Sequence, residues 1–349
     1  MQDANAPPTK LDVPKRDGSA VKEGGGPMSV NRLPQAKLTT VATFPPEFFL
    51  EDLVARADRS FLITVLNRRE LWYLPPVDGR LPVDPVRLFT FQQNATGILE
   101  VEQDVFYIAT TDFYTWHKSY LSRLDLQGWT PGAAIDPQIV VEFPETARGL
   151  NGMCLIAPKV LLLADSFAGL IWRVDLDADG SQLRVRTWLK HESMGFFHGA
   201  MKPEQPGVNA VRFATKTNFI YYTATAKKLL MRVRVDPRTH EAEGEPELVV
   251  AGRMGDDFCI DEDAAVLYVT THRQNTIDRV SMSPAENSGF TQSVVGDPFT
   301  EELIGPSSGV WGRGAGEYGR VAYFLTDGGT ASPLPDGVAR PAKVLRVEL

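Results

Sequence analysis

Six polar residues, Glu51, Thr96, Asn151, Asn209, Asp256 and Ser307, recur about 50 residues apart, each near the head of a short apolar run. Brought together, they would form an all-oxygen ring of two carboxylates, two amides and two hydroxyls. Hard cations such as Ca²⁺ choose such donors, taking about six to eight oxygens with water completing the shell. Transition metals would call for His or Cys, and neither stands at these positions. Water in a channel would also account for polar residues there. It leaves two neighbouring carboxylates without a countercharge, each raising the pKa of the other. The expected calcium ligands are therefore Glu51, Asn151, Asn209 and Asp256, with Thr96 and Ser307 as weaker members acting through water.

The elements that must position this ring are repeated. The stretch 149–176, GLNGMCLIAPKVLLLADSFAGLIWRVDL, reads as three consecutive strands separated by turn residues. Its first strand and turn recur at 50–67, 95–111, 207–225, 255–272 and 305–327. Its third strand recurs at 120–126, 229–235, 276–282 and 343–349, with Arg173, Arg123, Arg232, Arg279 and Arg346 in register. The first copy departs there, with Tyr73 in that place. Six strand-rich units with almost no helical periodicity predict an all-β fold, a six-bladed β-propeller of four-stranded blades. The chain stops at the third strand of the sixth unit, and KLTTVATF (37–44) is a spare strand before the first. Docked as the outer strand of the last blade, it closes the ring and removes an exposed edge. The innermost strands line the central channel, so the six polar side chains converge on its axis.

Composition narrows the function. Of 349 residues, 43% are hydrophobic, enough for a substantial core, and the net charge of −8 comes without the clustered Lys and Arg of a nucleic-acid footprint. Cys154 and Cys259 are the only cysteines, too few for a disulfide framework or a thiolate zinc site. They fall in blades three and five, so no disulfide is expected between them. No apolar run approaches membrane-spanning length, and no signal-peptide segment heads the chain as given. It reads as soluble, cytoplasmic or a mature secreted form, with a monomer favoured. Residues 1–31 read as a disordered or draped leader and 32–349 as one propeller domain.

Glu51 in the first blade, NGM in the third, VNAV in the fourth and DDFCID in the fifth resemble the gluconolactonase, senescence-marker and diisopropylfluorophosphatase type of six-bladed propeller. The resemblance covers about Thr39 to Leu349 and implies a central calcium held by Glu, Asn, Asn and Asp. More narrowly, NGMCL…LLLADSFAGLIWRVD, DDFCID and GPSSGVWGR…TDGG are similar to a fungal branch that includes hetero-Diels-Alderase-like proteins of natural-product pathways. That similarity carries over no catalytic residue.

Loops on the ring side of the channel should shape substrate choice. Segments 44–49, 110–120, 189–207 and 271–276 bring Phe48, Phe49, Phe113, Tyr114, Trp116, Met194, Phe196, Phe197, His198 and Met201 there. His117, His272 and Arg273 are the expected donors or bases, and Phe113, Tyr114, Trp116, Met194, Phe196 and His198 the expected substrate contacts. An aromatic, Met-rich mouth suits a bulky apolar small molecule better than a sugar lactone, whose hydroxyls need paired partners. The first expectation is therefore a hetero-Diels-Alderase-like cyclase that joins an apolar polyene to a reactive enone or quinone methide. The alternative is a Ca²⁺-dependent lactonase or esterase. ADSFAG (164–169) lacks the frame of a nucleophile elbow, which leaves Ser166 as a turn residue. GRGAGEYG (312–319) reads as a hairpin, without the strand-to-helix context of a phosphate loop. Asp165 and Asp327, at equivalent ends of second strands, are either turn acceptors or mouth residues.

Overall fold

Each repeat contains one run so apolar that it must be covered on both faces, such as FLITV (61–65), VLYVTT (266–271) and VAYFLT (321–326). In the computed structural model these runs are second strands of their sheets, and every residue of Phe61–Val65, Val105–Thr111, Val266–Thr271 and Val321–Thr326 is buried. The structure describes residues 35–77, 79, 81–113, 118–176, 183–196, 205–287 and 292–349. The expected leader, residues 1–31, lies outside them.

The described residues form six four-stranded antiparallel sheets arranged in a ring, the six-bladed β-propeller that the repeats imply. Six hydrophobic clusters fill the seams between neighbouring blades. Blades three and four, for example, share Cys154, Leu162, Ile171, Val211 and Tyr222. Outer strands such as Val86–Thr90 and Arg184–Lys190 are largely exposed. Four of the five register arginines face tyrosines: Arg123, Arg232, Arg279 and Arg346 stand opposite Tyr107, Tyr221, Tyr268 and Tyr323, while Arg173 stands opposite Leu162. No helix among the described residues is long and apolar enough to cross a membrane.

Closure follows the expectation. Lys37–Pro46 pairs antiparallel with Pro341–Glu348, so the outer strand of blade six comes from the start of the chain. Val41 and Phe44 from that strand share a buried cluster with Leu53 and Phe61 of blade one and Tyr323 of blade six. That pairing covers the edge that Pro341–Glu348 would otherwise expose.

The feature that positions the site is a β-bulge repeated in all six innermost strands. Pairing with the second strand shifts between Leu50 and Asp52, Ala95 and Ile98, Leu150 and Met153, Val208 and Val211, Gly255 and Phe258, and Pro306 and Gly309. The first residue inside each shift is Glu51, Thr96, Asn151, Asn209, Asp256 or Ser307. A bulge bends the strand and re-aims the side chain it carries. The structure therefore aligns the six positions by geometry, although blades two and three differ from the others in spacing. Hydroxyls secure the bulged strands across the seams. Thr64 Oγ1 donates to Thr96 O (2.6 Å), Ser166 Oγ to Val208 O (2.8 Å) and Thr270 Oγ1 to Ser307 O (3.2 Å).

Candidate functional site

Of the six ring residues, four share one cavity. Glu51, Asn151, Asn209 and Asp256, from blades one, three, four and five, line a pocket of about 260 Å³ at the ring end of the channel. Thr96 and Ser307 are fully buried elsewhere in the ring. Thr96 Oγ1 donates to Ala109 O (3.2 Å) and Ser307 Oγ to Leu50 O (2.6 Å). Their hydroxyls hold strands together and do not face the cavity, which corrects their place as ring donors.

The donor set fits a hard cation. Asn151 Nδ2 donates to Ser166 Oγ (3.3 Å) and Asn209 Nδ2 to Thr225 Oγ1 (3.1 Å) and Asp256 Oδ1, so no donor among the described residues occupies either amide oxygen. Glu51 receives no hydrogen bond and no ion pair among the described residues, and its electrostatic neighbours are Asp256, Asp52, Asp257 and Asp327. An unpaired carboxylate set among four others is an arrangement that a cation resolves. No cluster of three His, Cys, Asp or Glu side chains among the described residues suits a metal, so the site depends on its two amides.

Burial, then the neighbouring carboxylates, holds the Glu51 carboxyl well above the ordinary range. Burial likewise pushes Asp256 up to about 7; His272 and the Asn209 amide partly offset this, while Asp257 and Asp327 add to it. Burial alone would lower His272, but the charge and hydrogen bond of Asp327, with Asp256 beyond, raise it. All three shifts mean that the folded, unloaded protein holds more protons than the unfolded chain. Their contribution to stability is full below the unfolded pKa values and is lost as pH rises through the folded ones. The melting temperature of chelator-treated protein is expected to fall between pH 5 and pH 8. Added calcium, which needs deprotonated ligands, should raise it more at pH 8 than at pH 5. Equal calcium shifts at the two pH values would contradict this account.

Beneath the ring, the residues after Glu51 and Asp256 also face inward, as the bulges require. Asp257 Oδ2 pairs with the Arg212 guanidinium at 2.5 Å, and Asp52 Oδ1 lies 3.9 Å from it. Ser308 Oγ lies 2.7 Å from Asp52 Oδ1 and 2.6 Å from Asp257 Oδ2, although one hydroxyl proton can serve only one carboxylate. Burial pushes Asp52 up to about 6, less far than it would without Arg212.

Of the expected catalytic residues, His272 and Arg273 line the cavity. His272 Nε2 lies 3.2 Å from Asp327 Oδ2, and its ring stacks on Phe49 with centroids 5.6 Å apart. Asp327 is itself held by Gly329 N (2.7 Å) and Ala331 N (2.8 Å). Gly305 makes room for it. This glycine sits at φ +62°, and a Cβ there would overlap the Asp327 carboxylate. Gly305→Ala is expected to cost about 1–3 kcal/mol of stability and to displace the His272 partner, read as a lower melting temperature together with a changed His272 NMR titration. An unchanged His272 titration would show that Gly305 does not seat the pair. The equivalent Asp165 is a turn acceptor, bonded to Ala168 N (3.0 Å) and Trp172 Nε1 (2.9 Å).

The other expected residues divide. Phe113 lines the cavity beside Phe167, with ring centroids 5.8 Å apart. Phe196 packs edge-on against Phe167 at 5.1 Å and backs that wall. Met194 is fully buried in the seam of blades three and four, so it is a core residue and not a mouth residue. Phe48 packs on Phe44 and Trp72. Tyr114, Trp116, His117 and His198 lie outside the described residues. Sequence reasoning missed Phe167 and Gln205 and read Ser166 as a turn residue only, yet all three line the cavity. The Ser-Phe pair follows a strand-ending Asp in the same way that Gly-Gly follows Asp327, a signal visible once the blades are aligned.

A larger cavity, about 790 Å³, occupies the other end of the channel, lined by Leu53, Ile98, Met153, Phe258 and Trp311. Polar groups at its edge are already engaged: Trp311 Nε1 donates to Ile260 O (2.7 Å), and Arg313 pairs with Glu100. Both cysteines line it, buried and unbridged, and burial pushes the Cys154 thiol up to about 12. The smaller cavity holds the groups able to do chemistry.

No protein-family model and no curated protein matches the chain. Solved structures match it in fold. A luciferin-regenerating enzyme aligns with TM-score 0.65 and 13% identity over 90% of this chain and 95% of that one. A calcium-binding regucalcin from Agrobacterium tumefaciens aligns with TM-score 0.58 and 16% identity over 88% and 95%. A gluconolactonase from Xanthomonas campestris aligns with TM-score 0.60 and 13% identity over 91% of each. The solved structures that share this six-bladed propeller fold thus include a luciferin-regenerating enzyme, a regucalcin and a gluconolactonase.

Proposed function

We propose that the protein is a calcium-dependent hydrolase of lactones or esters. The observation that carries this reading is the unpaired Glu51 carboxylate, set with Asn151, Asn209 and Asp256 in one cavity beside the His272–Asp327 pair. A gluconolactonase and a calcium-binding regucalcin among the structural neighbours support it. Bound to those four side chains, Ca²⁺ would supply Lewis-acid polarisation of the substrate carbonyl. Asp327 orients the imidazole of His272 through Nε2 and leaves Nδ1 to take a proton from the attacking water. As the water oxygen bonds to the carbonyl carbon and the ester C–O bond breaks, the same imidazole returns the proton to the leaving oxygen. Phe49, Phe113 and Phe167 wall the substrate from bulk water.

The aromatic wall favours a second reading, a hetero-Diels-Alderase-like cyclase that orients an apolar polyene against a reactive enone. One experiment separates the two. Purified protein is given dihydrocoumarin and, separately, a quinone-methide and polyene pair, each before and after chelation. Lactone hydrolysis that stops with chelator and returns with calcium supports the hydrolase. Accelerated, stereoselective cyclisation with the lactone untouched overturns it.

A further inference from the structure

Arg273 is the only Arg or Lys side chain among the described residues that line the ring cavity. Its guanidinium is half-buried, and its two hydrogen-bond partners among the described residues are neutral: Nε donates to Gln205 Oε1 (3.2 Å) and Nη1, at a long 3.4 Å, to Ser332 Oγ. No carboxylate among the described residues lies within ion-pair distance of it. Other partly buried arginines of this protein do have one, as Arg212 has Asp257, Arg173 has Glu241 and Arg232 has Glu247. Asp327 is an electrostatic neighbour of Arg273, but the oxygens of Asp327 are taken by Gly329, Ala331 and His272.

A guanidinium stays charged at any working pH and prefers a planar carboxylate that it can grip with two parallel N–H donors. Withdrawing such a charge toward a wall of phenylalanine without a counter-ion is costly unless a ligand supplies the ion. Two neutral side chains hold the Arg273 head in place, and Phe49, Phe113 and Phe167 offer an aromatic slot beside it.

We infer that Arg273 is the specificity determinant of the cavity and that its substrate is an acid: a lactone or ester with a small aromatic or apolar body and a free carboxylate that docks on this guanidinium. The inference rests on the hydrolase reading for the reacting group alone. The carboxylate site stands on Arg273 and its surroundings. Glu51 and Asp256 share the cavity, so an anion enters only when their charge is offset. Carboxylate binding is therefore coupled to calcium.

Two readouts test this on the full-length, calcium-loaded protein. The first is binding of 3-phenylpropionate and of 3-phenylpropionamide by calorimetry. The acid is expected to bind at least ten-fold more tightly than the amide, to lose that advantage in Arg273→Gln, to keep part of it in Arg273→Lys, and to lose binding on chelation. The second is turnover of dihydrocoumarin against its ring-carboxylated analogue. The acid is expected to have a kcat/KM at least ten-fold higher, carried by KM, with the ratio collapsing toward one in Arg273→Gln. Binding of the acid through Arg273 with neither lactone hydrolysed would keep the carboxylate site and sink the hydrolase reading. Hydrolysis of both lactones at equal efficiency, with no preference for acid over amide, would overturn this inference and leave the hydrolase standing. If Arg273→Gln fails to fold, the acid-against-amide comparison on the unaltered protein still decides.

Discussion

Glu51→Gln is expected to weaken calcium binding sharply and to cut lactone turnover while making the unloaded protein more stable. Among the described residues this carboxylate has no donor and four carboxylates for neighbours, so removing its charge relieves roughly 1–3 kcal/mol at pH 8, seen as a melting temperature a few degrees higher. The same change takes one of two formal charges from the donor set, which should weaken calcium by about a hundredfold or more. Calcium at a hundred times its dissociation constant stabilises the unaltered protein by about 2.7 kcal/mol, and the variant should gain no more than about 0.4 kcal/mol at that concentration. The pair of melting curves, with and without calcium, is therefore expected to cross over between the two proteins. A variant that is less stable without calcium, or that binds it as tightly, would remove Glu51 from the ion site.

Arg212→Met should have the largest effect on stability. The guanidinium sits in the channel beneath the ring, pairs with Asp257, approaches Asp52 and donates to Met153 O at 3.1 Å. Asp257 Oδ1 already lacks a partner, so the network has no spare donor to offer. Methionine approximates the length of the arginine stem but leaves two buried carboxylates facing each other, a loss of about 3–5 kcal/mol. Adding Asp52→Asn and Asp257→Asn should restore most of it, because the penalty lies in the stranded charges and not in the packing. Denaturant unfolding of the single and triple variants measures this directly. A single variant within about 1 kcal/mol of the unaltered protein would show that Arg212 does not balance the two aspartates.

Much of the architecture is legible in the residues because a propeller is a local repeat. A fully apolar second strand can only be a strand covered on both faces, and six of them at similar spacing leave few topologies. The spare strand at 37–44 gains a place because the last blade is one strand short. The four ring residues in the cavity are legible for a related reason: each is a polar residue in an apolar strand, at the same step of the repeat. The wall of the cavity is less so. Met194 and Phe196 look like mouth residues in a loop, yet the first is core and the second a backing ring. Nothing in their own sequence distinguishes a side chain that packs a loop onto a blade from one that meets a ligand.

The sequence by itself determined the strands, the six-fold repeat, the closure by the first strand and the oxygen-rich character of the axis, since all of these follow from polarity and spacing along the chain. Only the tertiary structure decided that Thr96 and Ser307 turn away, that Asp327 of blade six holds His272 of blade five, and that Arg212 balances Asp52 and Asp257. All but the Thr96 bond, which stays within blade two, are contacts between different blades. Their outcome depends on a one-residue bulge in each innermost strand, which re-aims side chains by local backbone geometry that no periodicity encodes.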